Sequence, residues 1–265
     1  MMKLMRLPML LAALLPAVAM AAPYKVVAYY LPSQQRQYSA ADIDASKMTH
    51  LNYAFALIKD GEIVADQSSG TDQSARDYIV LRGLKSRSPK LKTLISVGGW
   101  AGSKEFSDVA LTPQSRRKFA DSAVAFLRKN GFDGVDIDWE FPVAGGDAAN
   151  IMRPQDKQNY TLLLQALRER LDSAGKQEHR SYLLTAAIGN NQGFFQNTEM
   201  AKVAAILDWV NIMTYDFSGS WSKFAGHVAP LYNDPALARP GADPKFNVSS
   251  TVEMALQAGI PARKL

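Results

Sequence analysis

Three acids alternate in the stretch FDGVDIDWEFP, residues 132–142: Asp136, Asp138 and Glu140, separated by Ile137 and Trp139. In a β-strand, side chains two positions apart share a face, about 6.5–7 Å from one to the next. Carboxylates this close cannot all ionise cheaply, so at least one holds its proton well above its usual pKa. An acid–base site needs such a set: one carboxyl that stays protonated and one that stays charged. Ile137 and Trp139 fall on the opposite face, where helices would cover them. Acids on a strand more commonly form a solvated face. Here the flanking residues are apolar on both sides, and three inward acids are costly without a use. A calcium loop fits the Asp-x-Asp spacing but needs glycine at its sixth position, which is Phe141.

Such a strand needs a frame. Short runs rich in β-branched and aromatic residues recur at Lys25–Leu31, Thr49–Ile58, Leu91–Gly99, Phe132–Glu140, Tyr182–Asn190 and Asp208–Phe217. Helical patterns lie between them. Thr112–Asn130 has Thr112 as N-cap, Pro113 at the first helical position and Gly131 as C-terminal cap. Its Phe119, Ala123, Phe126 and Leu127 form one stripe. Gln155–Ala174 carries Leu163, Leu167 and Leu171 in register, and shorter helices are expected at Asp72–Ser86, Thr198–Leu207 and Ser250–Ala258. Six strand–helix units predict an α/β fold with a parallel sheet, either doubly wound or closed into an eight-stranded (β/α)8 TIM barrel. No G-x-G-x-x-G follows a strand, which disfavours dinucleotide binding. The polar residues gather at strand C-terminal ends, as a barrel requires: Ser96 to Gly99, Asp136 to Glu140, and Tyr215 with Asp216.

Composition narrows the function classes. The chain of 265 residues has a net charge of +5 with no clustered basic stripe, which argues against a nucleic-acid partner. It has no cysteine, so disulfides and thiolate metal sites are excluded, and His50, His179 and His227 are too scattered for ligand spacing. No metal and no cofactor is implied. Lys3 and Arg6 precede an apolar run from Leu7 to Met20, followed by the small-x-small sequence Ala19-Met20-Ala21. Residues 1–21 therefore read as a secretory signal peptide, cleaved near Ala21, which would put residues 22–265 outside the cytoplasm as a secreted or periplasmic protein. No later run is long enough to span a bilayer, so no membrane association is expected after cleavage.

DGVDIDWE resembles the DxxDxDxE signature of family 18 glycoside hydrolases, the chitinase family. SVGG (Ser96–Gly99) is similar to the family's SxGG on the third strand, and MTYD (Met213–Asp216) to its MxYD on the sixth. AYY on the first strand, NYAFA on the second, and GSW followed by GHVAPLY fit as well; the last pair resembles the branch carrying an α+β insertion domain. The resemblance runs from Tyr24 to Leu265. It implies retaining hydrolysis of β-1,4-linked N-acetylglucosamine polymers, with the substrate's own acetamide as nucleophile. Glu140 would be general acid and then base. Asp138 would orient the acetamide, Asp136 would share a proton or hydrogen bond with Asp138, and Tyr215 would bond the acetamide oxygen. Substrate contacts would come from Asp216, Met213, Phe55, Gly99, Trp100 and Trp221, with Tyr29 and Ser96 supporting the inner acids. Trp139, Phe132 and Trp209 read as core. The implied partner is chitin or chito-oligosaccharide, bound by a monomer. Two alternatives stand beside this: an endo-β-N-acetylglucosaminidase acting on other glycans, and an inactive chitin-binding lectin.

The strand count stops at six. Against an eight-stranded barrel, this predicts that strands 7 and 8, the insertion domain and the eighth strand's tryptophan lie outside these residues. Open edges would remain at the first and sixth strands, and the chain by itself is expected to express poorly or lack activity.

Overall fold

The computed structural model describes residues 24–32, 40–67, 73–235 and 243–265. The expected signal peptide, residues 1–21, lies outside them. Six apolar runs form parallel strands, β1 (Val27–Tyr30), β2 (His50–Lys59), β4 (Lys92–Gly98), β5 (Gly134–Asp138), β6 (Leu183–Ile188) and β7 (Trp209–Ile212), hydrogen-bonded in that order. β3 (Glu62–Ala65) returns antiparallel along β2 after a tight turn at Asp60 and Gly61, both at positive φ. This hairpin is not among the elements expected from the sequence. The six-stranded parallel arc with helices outside it is the expected α/β barrel architecture, present over six strands. Among the described residues, β1 and β7 are each paired on one side only.

The helices form where periodicity and caps agree. α1 (Gln73–Arg87), α3 (Pro113–Asn130), α4 (Asp156–Gln177), α6 (Met200–Ile206) and α7 (Val248–Gln257) match the five expected segments to within a few residues. In α3, the Thr112 hydroxyl accepts from the Ser115 N–H at 3.0 Å and Gly131 closes the helix in the left-handed region at φ 78°. Its Phe119, Ala123 and Leu127 are buried against α4, whose Leu163, Leu167 and Leu171 are fully buried. Burying each such leucine is worth about 1.5–3 kcal/mol. Two short helices, α2 (Phe106–Leu111) and α5 (Gln192–Gln196), are not expected from the sequence; at 6 and 5 residues they are too short to show a period.

Two strands end earlier than the sequence suggests. β5 stops at Asp138, whose last pairing is with Gly98 at the end of β4, so Glu140 lies beyond the ladder. β7 stops at Ile212 rather than continuing to Phe217. Its neighbour β6 ends at Ile188, whose carbonyl still accepts the Met213 N–H at 3.0 Å before the chain turns into α5. Asp136 and Asp138 therefore sit on the last residues of β5, while Glu140, Tyr215 and Asp216 sit on loops just past the strand ends. No helix among the described residues is long and apolar enough to cross a membrane.

Candidate active site

Strand register builds the site's floor. Ser96, Asp136 and Thr185 are lateral neighbours across β4, β5 and β6. Asp136 is fully buried and collects four donors. Tyr29 Oη and Ser96 Oγ each donate to its Oδ2 at 2.8 Å; Thr185 Oγ1 and Asn211 Nδ2 donate to Oδ1 at 2.5 and 3.2 Å. Four is about the acceptor capacity of a carboxylate. Burial pushes the Asp136 pKa up, and the four hydrogen bonds pull against that. Tyr29 and Ser96 thus stand where the sequence placed them. Thr185 and Asn211 were missed, although each is a polar residue interrupting an apolar strand run.

One expectation changes here. Asp136 and Asp138 are not joined by a hydrogen bond, because the four donors already occupy the Asp136 oxygens. The two acids interact through charge instead. Asp138 is 4% exposed, and its Oδ1 is buried without a hydrogen-bond partner. Burial holds its pKa well above the carboxylate range, reinforced by the charges of Glu140 and Asp136. Its backbone is fixed from β4: Gly99 N–H donates to the Asp138 carbonyl at 2.9 Å. Gly98, at φ 110°, permits this approach, since a Cβ there would stand 2.2 Å from that carbonyl oxygen.

Glu140 is less enclosed. Burial, with the charge of Asp216 second, raises its pKa to about 7. The three acids are therefore graded: Asp136 saturated with donors, Asp138 buried with a free oxygen, Glu140 poised to exchange a proton near neutrality. Behind them, Ile137 is fully buried and Trp139 stacks on Phe106 with ring centroids 5.3 Å apart, as the alternation predicted. Phe132 and Trp209 are buried too.

A cleft of about 800 Å³ opens beside Asp138, lined among others by Tyr29, Phe55, Asn211, Met213 and Tyr215. Tyr215 is half exposed; burial and the charge of Asp138 push its pKa up to about 12, so its hydroxyl keeps its proton as a donor. Asn190 Nδ2 donates to the carbonyls of Met213 and Tyr215, both at 2.9 Å, and so shapes the loop that presents Tyr215. Asp216 follows at φ 55°. Trp100 and Trp221, 55% and 67% exposed, stand on the loops after β4 and β7, outside that cleft's lining. No cluster of three or more His, Asp or Glu that could hold a metal ion occurs among the described residues.

The family model "Glycosyl hydrolases family 18" matches residues 25–265, the span that holds these acids and the parallel arc. The chain belongs to that family. Chitinase A1 of Niallia circulans is 46% identical to it, over 96% of this chain and 43% of the relative. Chitotriosidase-1 of Mus musculus is 39% identical, over 84% of this chain and 47% of its own. Among solved structures, the chitinase ChiA74 from Bacillus thuringiensis superimposes with a TM-score of 0.84 at 38% identity, covering 92% of this chain and 47% of that one. The family 18 chain spans less than half the length of each of these relatives.

Proposed function

We propose that this family 18 chain carries the acid machinery of an exported retaining chitinase that cleaves β-1,4-linked N-acetylglucosamine chains by substrate assistance. The observation that carries the proposal is the unpartnered, buried Asp138 Oδ1 beside a Glu140 whose pKa stands near 7. Glu140, as the acid, gives its proton to the glycosidic oxygen while the C1–O bond breaks. The acetamide carbonyl oxygen of the sugar on the non-reducing side bonds to C1 and forms an oxazolinium ion. Asp138 accepts the acetamide N–H through its unpartnered Oδ1, and the positive charge developing beside it draws the carboxyl, which burial otherwise holds protonated, into its ionised form. The Tyr215 hydroxyl donates to the acetamide oxygen and helps aim it. Water then attacks C1 from the face the leaving group vacated, the C1–O bond to the acetamide oxygen breaks and restores the N-acetyl group, and the Glu140 carboxylate takes the water's proton, so the configuration is retained. Asp136, with its four donors, is held in place behind Asp138. Trp100 and Trp221 offer exposed rings to sugar faces, and Phe55, Met213, Gly99 and Asp216 shape the acetamide's surroundings.

The test is sugar release from colloidal chitin by the full-length protein that carries these residues, with a thiazoline mimic of the oxazolinium as competitor. The proposal expects release that the thiazoline suppresses and that Glu140→Gln abolishes. Equal release by Glu140→Gln, or release untouched by excess thiazoline, would overturn it. Cleavage confined to N-glycan cores would instead assign the endo-β-N-acetylglucosaminidase activity.

A further inference from the structure

The general acid is not held by the sheet. β5 ends at Asp138, two residues before Glu140, so the Glu140 N–H and C=O have no ladder partners. Backbone polar groups this close to a buried site need partners from elsewhere. Two side chains supply them. Ser103, fully buried on the loop after β4, accepts the Glu140 N–H at 2.9 Å; its own proton goes to the Gly99 carbonyl at 2.8 Å, with the Asp138 carbonyl at 3.2 Å. Asn150, 9% exposed on the loop after β5, donates from Nδ2 to the Glu140 carbonyl at 2.6 Å.

We propose that Ser103 and Asn150 are positioning residues that clamp the Glu140 peptide from both sides and thereby set the aim of its carboxyl group. The proposal rests on the reading of Glu140 as general acid.

The clamp is itself braced. Ile151 N–H reaches the Lys104 carbonyl at 3.5 Å, and Arg153 binds Ser107 Oγ and Asp108 Oδ1, both at 2.7 Å. Ser107 Oγ and the Arg153 N–H both donate to Oδ2 of the fully buried Asp156, at 2.7 and 2.9 Å. These bonds tie the loop carrying Asn150 to Lys104 beside Ser103, to α2 just after it and to the start of α4. Gly146 makes room for the wrap: at φ 80°, a Cβ there would stand 1.9 Å from the Glu140 carbonyl oxygen and 2.6 Å from Asn150 Nδ2. The two jaws and their brace come from loops on either side of Glu140, and their hydrogen bonds converge on its peptide groups. Neither jaw is among the residues the sequence singled out.

A positioning role makes a prediction that a purely structural one does not. Misplacing a general acid hurts only when the leaving group needs a proton. The measurement is kcat/KM on chitotetraose, whose leaving group is a sugar, and on 2,4-dinitrophenyl chitobioside, whose leaving group departs without protonation. For Asn150→Ala and Ser103→Ala, kcat/KM on chitotetraose is expected to fall about tenfold to a hundredfold, as for a shift of about 1 Å. On the dinitrophenyl substrate it is expected to fall less than about threefold. In a Glu140→Gln background, removing Asn150 should cost less than about twofold further on either substrate. Equal losses on both substrates, or losses that add to that of Glu140→Gln, would make the clamp merely structural. Unchanged turnover of chitotetraose by Asn150→Ala, beside a large loss in Glu140→Gln, sinks the clamp alone. Full activity of Glu140→Gln on chitotetraose sinks the acid assignment and the clamp with it. Should Ser103→Ala fail to fold, Asn150→Ala, at 9% exposure less deeply buried than Ser103, carries the test.

Discussion

The strands at the middle of the arc and the strands at its rims treat the same acids differently. β4, β5 and β6 are buried almost throughout and paired on both sides. β1 and β7 are short, partly exposed, and paired on one side among the described residues. Asp136 draws two donors from each: Ser96 and Thr185 from the middle, Tyr29 and Asn211 from the rims. The middle supplies donors that water cannot replace. The rims supply donors from residues that line the open cleft. The chemistry straddles this boundary, with Asp138 on the middle strand and Tyr215 just past the rim.

The largest way to test the contrast is at its centre. Asp138→Asn keeps the shape of the side chain but removes the negative charge that would face the oxazolinium. Loss of one such electrostatic partner costs about 10²–10³ in kcat. The loss should exceed that from Tyr215→Phe, which removes one hydrogen bond from a half-exposed ring and leaves the charge in place. A ranking with Tyr215→Phe worse, read from initial rates on chitotetraose, would move the centre of charge stabilisation from the middle strand to the rim.

pH gives the next largest effect. Glu140 must be protonated to act as acid, and its pKa stands near 7, so kcat/KM should fall as pH rises through about 7. Stability should move in the same direction. The folded pKa of Glu140 lies above the ordinary glutamate value, so folding favours the protonated form. That contribution is fully present below the ordinary value and is lost as pH rises through about 7; Asp138, shifted the same way, adds to it. Melting temperatures followed from pH 5 to pH 8 should decline, and Glu140→Gln should flatten part of the slope. His50, whose pKa burial lowers, moves stability the opposite way in both chains, so a pH dependence identical in Glu140→Gln and the unaltered chain would contradict the burial of this acid.

Much of this site is legible in the sequence. The period-two acids and SVGG lie on or at the ends of strands and MTYD just past one, and the alternating strand–helix pattern places all three at strand C-terminal ends. Burial on the far face is equally legible, since Ile137 and Trp139 leave no other choice. What stays hidden is lateral. Thr185 and Asn211 reach Asp136 only because β6 and β7 take their places beside β5, and a single chain does not announce register between strand residues 49 and 75 positions apart. Ser103 and Asn150 stay hidden for another reason: they act on backbone groups, and a loop residue that caps a peptide leaves no periodic trace. The shared hydrogen bond expected between Asp136 and Asp138 fails for the same lateral cause, because four donors from neighbouring strands and the rims fill the oxygens first.

The middle–rim contrast predicts unequal costs for two small deletions at one acid. Thr185→Val removes a fully buried donor from Asp136 and leaves an oxygen that water does not reach, so it should destabilise by about 1–3 kcal/mol. Tyr29→Phe removes a donor from a cleft-lining residue that is 42% exposed overall, although burial at its hydroxyl pushes the phenol pKa well up; with the cleft beside the gap, about 0.5–1.5 kcal/mol is expected. Urea denaturation of the two variants against the unaltered chain measures the difference. Equal costs would mean that the cleft beside Tyr29 is as dry as the interior.

The smallest effect is also the most direct measure of the boundary. Amide hydrogen exchange reports local opening, and strands bonded on both sides open only with the global fold. Amides of Val135–Asp138 and Ile95–Gly98 should therefore exchange at the slowest rates in the molecule. In Val27–Tyr30 and Trp209–Ile212, where each strand has one ladder, protection should be weaker, most of all for the N–H groups turned away from β2 and β6. Rims as protected as the middle would show that their outer edges are covered in solution, by another part of the protein or by a second copy, and a protection factor that falls on dilution would pick out the second copy. Either result would turn the cleft beside Asp138 from an open flank into a walled groove, and would move Tyr29 and Tyr215 to the protected side of the boundary.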